Sequence, residues 1–125
     1  MCDDDDACTV DICIDGLRCE SSAAVGIESV TCACKALFPT SCRGLLIPQR
    51  AAVLTTRACN LFDKAALGTR QSTRQLVRGG KLMRRAATIV GRAGTKGRLS
   101  QTCATELVAR LVDAHDRAAR QAEVR

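Results

Sequence analysis

The sequence predicts a mainly α protein: a small cysteine-rich disulfide module followed by an antiparallel three-helix bundle. Three observations carry that expectation. Seven of the nine cysteines (Cys2, Cys8, Cys13, Cys19, Cys32, Cys34 and Cys42) fall in the first 42 residues. Beyond Pro48, apolar residues recur at helical spacing through three stretches separated by glycine-rich breaks. There is no Trp or Tyr, and only Phe38 and Phe62 among the aromatics, so any core is built from Leu, Val, Ile and Ala, which suits helices packed face to face. The 125 residues suffice for one domain, or a small domain with a short module, and not for a barrel or a large doubly wound fold.

Charge divides the chain at the same place. Residues 1–34 hold eight acids and one base, Arg18, while residues 35–125 hold eighteen bases and five acids. Two segments are therefore expected, an acidic cysteine-rich module with its joint over 1–34 and a basic helical region over 35–125.

The cysteine density of the first segment belongs to disulfide scaffolds of oxidising compartments. A zinc site would be expected to show Cys-x2-Cys or histidine pairs. Here Cys2, Cys8, Cys13 and Cys19 are separated by five, four and five residues, Cys32 and Cys34 by one, and the sole histidine is His115. Disulfides are the expectation, and nine is odd, so one thiol is expected to lack an internal partner. No charged and apolar export signal stands at Met1, and no run of 18 apolar residues occurs. A disulfide protein of this kind is expected to be secreted or displayed at the cell surface, as the C-terminal piece of a longer chain whose upstream part is missing.

The elements follow in order. Residues 2–19 show no helical period; aspartates, cysteines and Asp15-Gly16 mark turns. Residues 20–31 read as a joint, with Val25, Ile27 and Val30 in a short extended stretch. Pro39 and Gly44 interrupt residues 35–47. The first bundle helix is expected over about 49–67: Pro48 suits its first turn, Ala51, Leu54, Ala58, Leu61, Phe62 and Ala65 form the apolar face, and Gly68 suits a left-handed cap. The second is expected over about 70–93, with Leu76, Gly80, Met83, Ala86, Ala87, Val90 and Ala93 on one face. Gly79-Gly80 weakens it by about 1 kcal/mol per glycine relative to alanine, unless the helices approach closely there. The third is expected over about 100–123, capped by Ser100 and lined by Cys103, Leu107, Leu111, Ala114 and Ala118. Glu106–Arg110, Asp113–Arg117 and Asp116–Arg120 stand at i,i+4 for ion pairing. Cys59 and Cys103 on the outer helices make a natural staple; Cys42 reaching Cys103, Cys32 or Cys34 is the alternative, and spacing leaves the connectivity open.

At Cys2-Asp3-Asp4, followed by Cys8-Thr9-Val10-Asp11-Ile12-Cys13 and then Cys19, the chain resembles the Dictyostelium CTDC repeat, a short cysteine-rich unit of extracellular matrix and cell-surface proteins that also occurs in large secreted bacterial proteins. Asp5 stands where that repeat usually has Gly, and Arg18-Cys19 where Gly-Cys is usual. The helical remainder is similar to the tails that follow such repeats at the ends of large secreted bacterial proteins. The resemblance implies an extracellular setting and a non-enzymatic structural or adhesion role, with matrix or surface proteins or neighbouring copies as partners.

Three candidate sites stand out. Closely spaced carboxylates on a disulfide-pinned loop are raw material for calcium, which takes six to eight oxygen ligands; Asp4, Asp6, Asp11 and Asp15 are the expected ligands, although the spacing departs from the EF-hand pattern and a solvated acidic turn is the bland alternative. The second is a basic stripe on the second helix: Arg70, Arg74, Arg78, Lys81, Arg85 and Arg92, with Arg84, Lys96 and Arg98 beside it. Such a stripe attracts polyanions, nucleic acid or sulfated polysaccharide, with salt-sensitive affinity, or is simply a solvated face. Without interleaved aromatics it has no platform for base stacking. The third, His115 beside Asp116, is expected to be structural, because Cys103 is three helical turns away and no dyad forms. No Gly-rich phosphate loop, Gly-x-Ser-x-Gly or His-Glu-x-x-His occurs, so no enzymatic activity is expected.

Overall fold

The computed structural model describes the backbone of residues 9–14, 18–23, 27–68 and 70–124, and the side chains of residues 27, 29–68 and 70–123. The protein is mainly helical. Strands β1 (Thr9–Ile14) and β2 (Arg18–Ala23) pair antiparallel, with Thr9 opposite Ala23, Cys13 opposite Cys19 and Ile14 opposite Arg18. Four helices follow: α1 (Ile27–Lys35), α2 (Gln49–Ala65), α3 (Ser72–Thr95) and α4 (Gln101–Val124), with a 3-10 turn over Thr40–Cys42 between α1 and α2.

Two of these elements depart from the expectation. In the sequence Val10, Ile12 and Ile14 alternate with Asp11 and Cys13, which is a strand signal, and the backbone forms strands on Thr9–Ile14 and Arg18–Ala23 where only turns and a joint were expected. The supposed extended joint containing Val25, Ile27 and Val30 is overturned from Ile27 onward, where the chain is helical. Ile27, Val30, Thr31 and Cys34 stand at i, i+3, i+4 and i+7, a helical face disguised by β-branched side chains whose intrinsic helix preference is low. That face wins because it packs: Val30 is fully buried, Ala33 and Leu37 are buried, and all three join the same core as α2, α3 and α4. Accordingly α1 runs across the charge boundary at residues 34 and 35.

α2 and α4 bury the faces that their spacing marks. Ala51, Ala58, Phe62 and Ala65 of α2 are buried, as are Cys103, Leu107, Leu111, Ala114 and Ala118 of α4. Leu54 packs at the margin of the core, whereas Leu61, also expected on that face, is half-buried outside the core and lines a surface groove with Arg57 and Lys64. α3 begins at Ser72 rather than at 70, because Gly68 turns the chain at φ 74° and the buried Ser72 hydroxyl donates to the Ala65 carbonyl at 2.9 Å, tying the start of α3 to the end of α2. It runs two residues further than expected, to Thr95. Gly79 and Gly80 are both buried and are sites of close approach: a Cβ on Gly79 would lie 2.5 Å from Cε1 of Phe62, and one on Gly80 3.3 Å from Cδ2 of His115. Along α3, Gly80 lies near His115 and Ala118, Gly91 near Val108, and Gly94 near Ala104. Ser100 caps α4, its hydroxyl accepting from the Cys103 amide at 3.4 Å.

The described cysteines are all bridged. Cys34 on α1 is bonded to Cys59 on α2, and Cys42 in the 3-10 turn to Cys103 on α4. The expected Cys59–Cys103 staple does not form; the alternative, Cys42 with Cys103, does. Cys59 is taken by Cys34 because α1, unforeseen as a helix, packs against α2 and α4. Cys32 is disulfide-bonded as well. Closing loops with sequence separations of 25 and 61 residues stabilises the fold by about 3.5 and about 4.3 kcal/mol in the chain-entropy account.

The ion pairs of α4 differ from expectation for a related reason. Asp113 and Arg117 do pair, at 2.8 Å. Glu106 instead accepts from the Ser41 hydroxyl at 2.7 Å, Arg110 donates to the Ala36 carbonyl, and the Asp116 carboxylate meets His115 while Arg120 reaches only the Asp116 carbonyl. The segment between α1 and α2 supplies the partners that draw Glu106 and Arg110 apart, while Asp116 is taken by its neighbour on α4.

A candidate polyanion interface

Between Lys64 and Thr105 the chain contains no acid, and within that span lie Lys64, Arg70, Arg74, Arg78, Lys81, Arg84, Arg85, Arg92, Lys96 and Arg98. Each of these is exposed, and none makes an ion pair among the described residues. On α3, Leu76, Met83, Ala86 and Val90 point to the core with full burial. At 100° per residue, Arg74, Arg78, Lys81, Arg85 and Arg92 fall on the opposite side within an arc of about 60°. Like charges at i,i+3 and i,i+4 on an exposed helix each cost a few tenths of a kcal/mol. Arg74–Arg78, Arg78–Lys81 and Lys81–Arg85 repel in this way, and α3 carries no acid to relieve them.

A second row of cations comes from α2. Arg50, Arg57 and Lys64 stand seven residues apart and are exposed, and on α3 so do Arg78, Arg85 and Arg92. The ends of the two rows meet in opposite order. A groove of about 340 Å³ between α2 and α3 is lined by Arg57, Asn60, Leu61, Lys64, Arg78 and Leu82. At the other end, a cleft of about 490 Å³ has Arg50 from α2, and Arg92, Lys96 and Arg98 from the end of α3 and the turn after it. Arg85 falls between, on the same face of α3. The cationic seam follows the helices for about 21 Å, the rise of fourteen helical residues.

The stripe expected on α3 is thus present as an exposed face, but its strongest concentration is shared with α2. Arg50, Arg57 and Lys64 were missing from the expected site. Their seven-residue repeat is a signal in the sequence, yet it acquires meaning only once α2 is known to lie beside α3 with Lys64 at the Arg78 end.

The remaining candidates divide differently. Asp4, Asp6 and Asp15 lie outside the described residues, as do Cys2 and Cys8; Asp11, Cys13 and Cys19 sit on the hairpin backbone, with side chains outside the described set. Among the described residues no three His, Cys, Asp or Glu side chains gather to hold a metal. His115 is half-buried on α4, with Nδ1 2.9 Å from Oδ1 of its neighbour Asp116. Cys103 is bridged to Cys42 and so offers no nucleophile. No described helix is long and apolar enough to cross a membrane.

No family model matches the chain, and no curated protein or solved structure matches it either.

Proposed function

We propose that the chain is a non-enzymatic extracellular module of a secreted protein that grips a linear acidic polysaccharide along the α2–α3 seam. The observation that carries the reading is the double row of cations: Arg50, Arg57 and Lys64 beside Arg92, Arg85 and Arg78, exposed and without an acidic partner among the described residues. Two parallel rows of positive charge suit a polymer with regularly spaced sulfates or carboxylates. With no aromatic on the seam, bases have nothing to stack on, which favours a saccharide over a single-stranded nucleic acid.

In this reading α2, α3 and α4 form an antiparallel three-helix bundle, supported by the descending order in which Gly80, Gly91 and Gly94 meet His115, Val108 and Ala104. The bridges Cys34–Cys59 and Cys42–Cys103 support an oxidising, extracellular setting, as does the CTDC-like pattern from Cys2 to Cys19. A matrix-facing structural role follows: the front module joins the chain to its neighbours, with calcium as a candidate ligand there, and the helical part anchors it to acidic polymer.

The test is retention on a heparin column against a salt gradient. The oxidised chain is expected to elute well above the salt needed for a protein of the same net charge with scattered cations, and Arg57→Gln/Lys64→Gln/Arg78→Gln to elute early with an unchanged circular dichroism spectrum. Equal elution of the triple variant and the parent would reject the seam. Displacement by single-stranded DNA at lower concentration than by heparin would move the assignment to nucleic acid.

A further inference from the structure

The cleft at the Arg92 end of the seam has a different chemistry from the groove around Arg78. Its floor and walls include Leu46, Ile47, Pro48, Ile89 and Ala93, and its charged groups are Arg50, Arg92, Lys96 and Arg98, with no acid among the lining residues. Leu46 is 93% exposed at this cleft, an aliphatic side chain held in water. Leaving a leucine uncovered forgoes about 1.5–3 kcal/mol of burial, so the cleft has apolar surface to offer as well as charge.

We propose that this cleft binds an alkyl phosphate: a phosphate group held by Arg50, Arg92, Lys96 and Arg98, with its hydrocarbon portion against Leu46, Ile47 and Ile89. Three guanidinium forks and an ammonium supply more donors than the two oxygens of a carboxylate can accept, whereas a phosphate presents three or four oxygens and carries close to two negative charges. Backbone donors reinforce the preference. Pro48 at the start of α2 provides no side-chain cap and the first turn has no acid. The first intrahelical bond there runs from the Ala52 amide to the Pro48 carbonyl, which leaves the earlier amides without an intrahelical acceptor. The volume of about 490 Å³ lies within the usual range for small-ligand sites. The cleft lies at one end of the polysaccharide seam, yet the residues whose loss tests the seam (Arg57, Lys64 and Arg78) line the groove at the other end and not this cleft. The two readings therefore stand or fall separately.

An alkyl phosphate reaches the cleft either as a free amphiphile or as the exposed head of a bilayer lipid, and the experiment has an arm for each. The oxidised full chain is titrated by calorimetry and by amide chemical shifts with octyl phosphate below its micelle-forming concentration. Inorganic phosphate and octyl glucoside serve as probes of the head and the tail alone. In parallel, flotation is measured with phosphatidylcholine vesicles with and without phosphatidic acid. The expected result is saturable binding of octyl phosphate at least tenfold tighter than either control, with shifts at Ile47 and Ile89, and at least a tenfold loss in Arg50→Gln/Arg98→Gln. Arg57→Gln/Lys64→Gln/Arg78→Gln is expected to bind octyl phosphate as the parent does. Binding to phosphatidic acid vesicles alone, abolished in Arg50→Gln/Arg98→Gln, would identify the bilayer as the source. Inorganic phosphate binding as tightly as octyl phosphate, indifference of both arms to Arg50→Gln/Arg98→Gln, or no binding in either arm would overturn the proposal.

Discussion

Phe62 of α2 and Gly79 of α3 are matched surfaces: the buried ring lies where a Cβ on Gly79 would stand, 2.5 Å from Cε1. The largest side chain of the described core is accommodated by the absence of any side chain at Gly79, while the adjacent Gly80 gives room to His115 of α4.

That contact separates the glycines of α3 by their expected response to alanine. Gly79→Ala forces the ring of Phe62 or the helix itself to move, an overpacking cost of about 1–3 kcal/mol that exceeds the gain of up to about 1 kcal/mol in helix propensity. Gly91→Ala meets only Val108 Cγ2 at 3.9 Å, an ordinary contact, and is expected to stabilise by up to about 1 kcal/mol. Urea denaturation of both variants, with the bridges intact, checks the pair; a stabilised Gly79→Ala would refute the packing described.

Removing the bridges is expected to have graded effects. Cys42→Ser/Cys103→Ser opens the longer loop and should cost somewhat more than Cys34→Ser/Cys59→Ser, by about 0.8 kcal/mol in the chain-entropy account. Thermal unfolding followed by circular dichroism reads the difference.

Glu106 and Arg110 are spaced for an ion pair but bind Ser41 and Ala36 respectively. A double-mutant cycle of Glu106→Gln and Arg110→Met should therefore give a coupling energy below about 0.2 kcal/mol, the low end of an i,i+4 pair. The same cycle on Asp113 and Arg117, which do meet, should give about 0.3–0.5 kcal/mol.

Polyanion binding should also relieve the repulsion along α3. Heparin is expected to raise the unfolding temperature, and the effect should fade with added salt as counterions screen the rows. In a plot of log affinity against log salt, the slope should fall by about 2–3 on removing Arg57, Lys64 and Arg78 together, close to one counterion per contact. A slope that does not change would mean that those three side chains do not touch the polymer.

The faces of α2, α3 and α4 could be read directly because their apolar residues keep a period close to 3.6 over many turns, as in Leu76, Met83, Ala87 and Val90. α1 was concealed because nine residues give barely two turns of pattern and Ile27, Val30 and Thr31 are residues equally at home in strands. The bridges followed α1: without that helix there was no reason to bring Cys34 to Cys59. The cationic seam was half legible. The α3 stripe is local and periodic, whereas the contribution of Arg57 and Lys64 depends on which helix lies alongside, and that is decided by packing contacts such as Phe62 on Gly79.

The order of the two bridges along the chain has a practical result. Cys34, Cys42, Cys59 and Cys103 alternate between the pairs, so the closed loops overlap rather than sit side by side. Hydrolysis of any single peptide bond between Cys34 and Cys103 leaves both fragments joined by sulfur, and one cut between Cys42 and Cys59 with a second between Cys59 and Cys103 leaves all three pieces joined. In surroundings rich in proteases, nicked molecules of this kind persist as one covalent body.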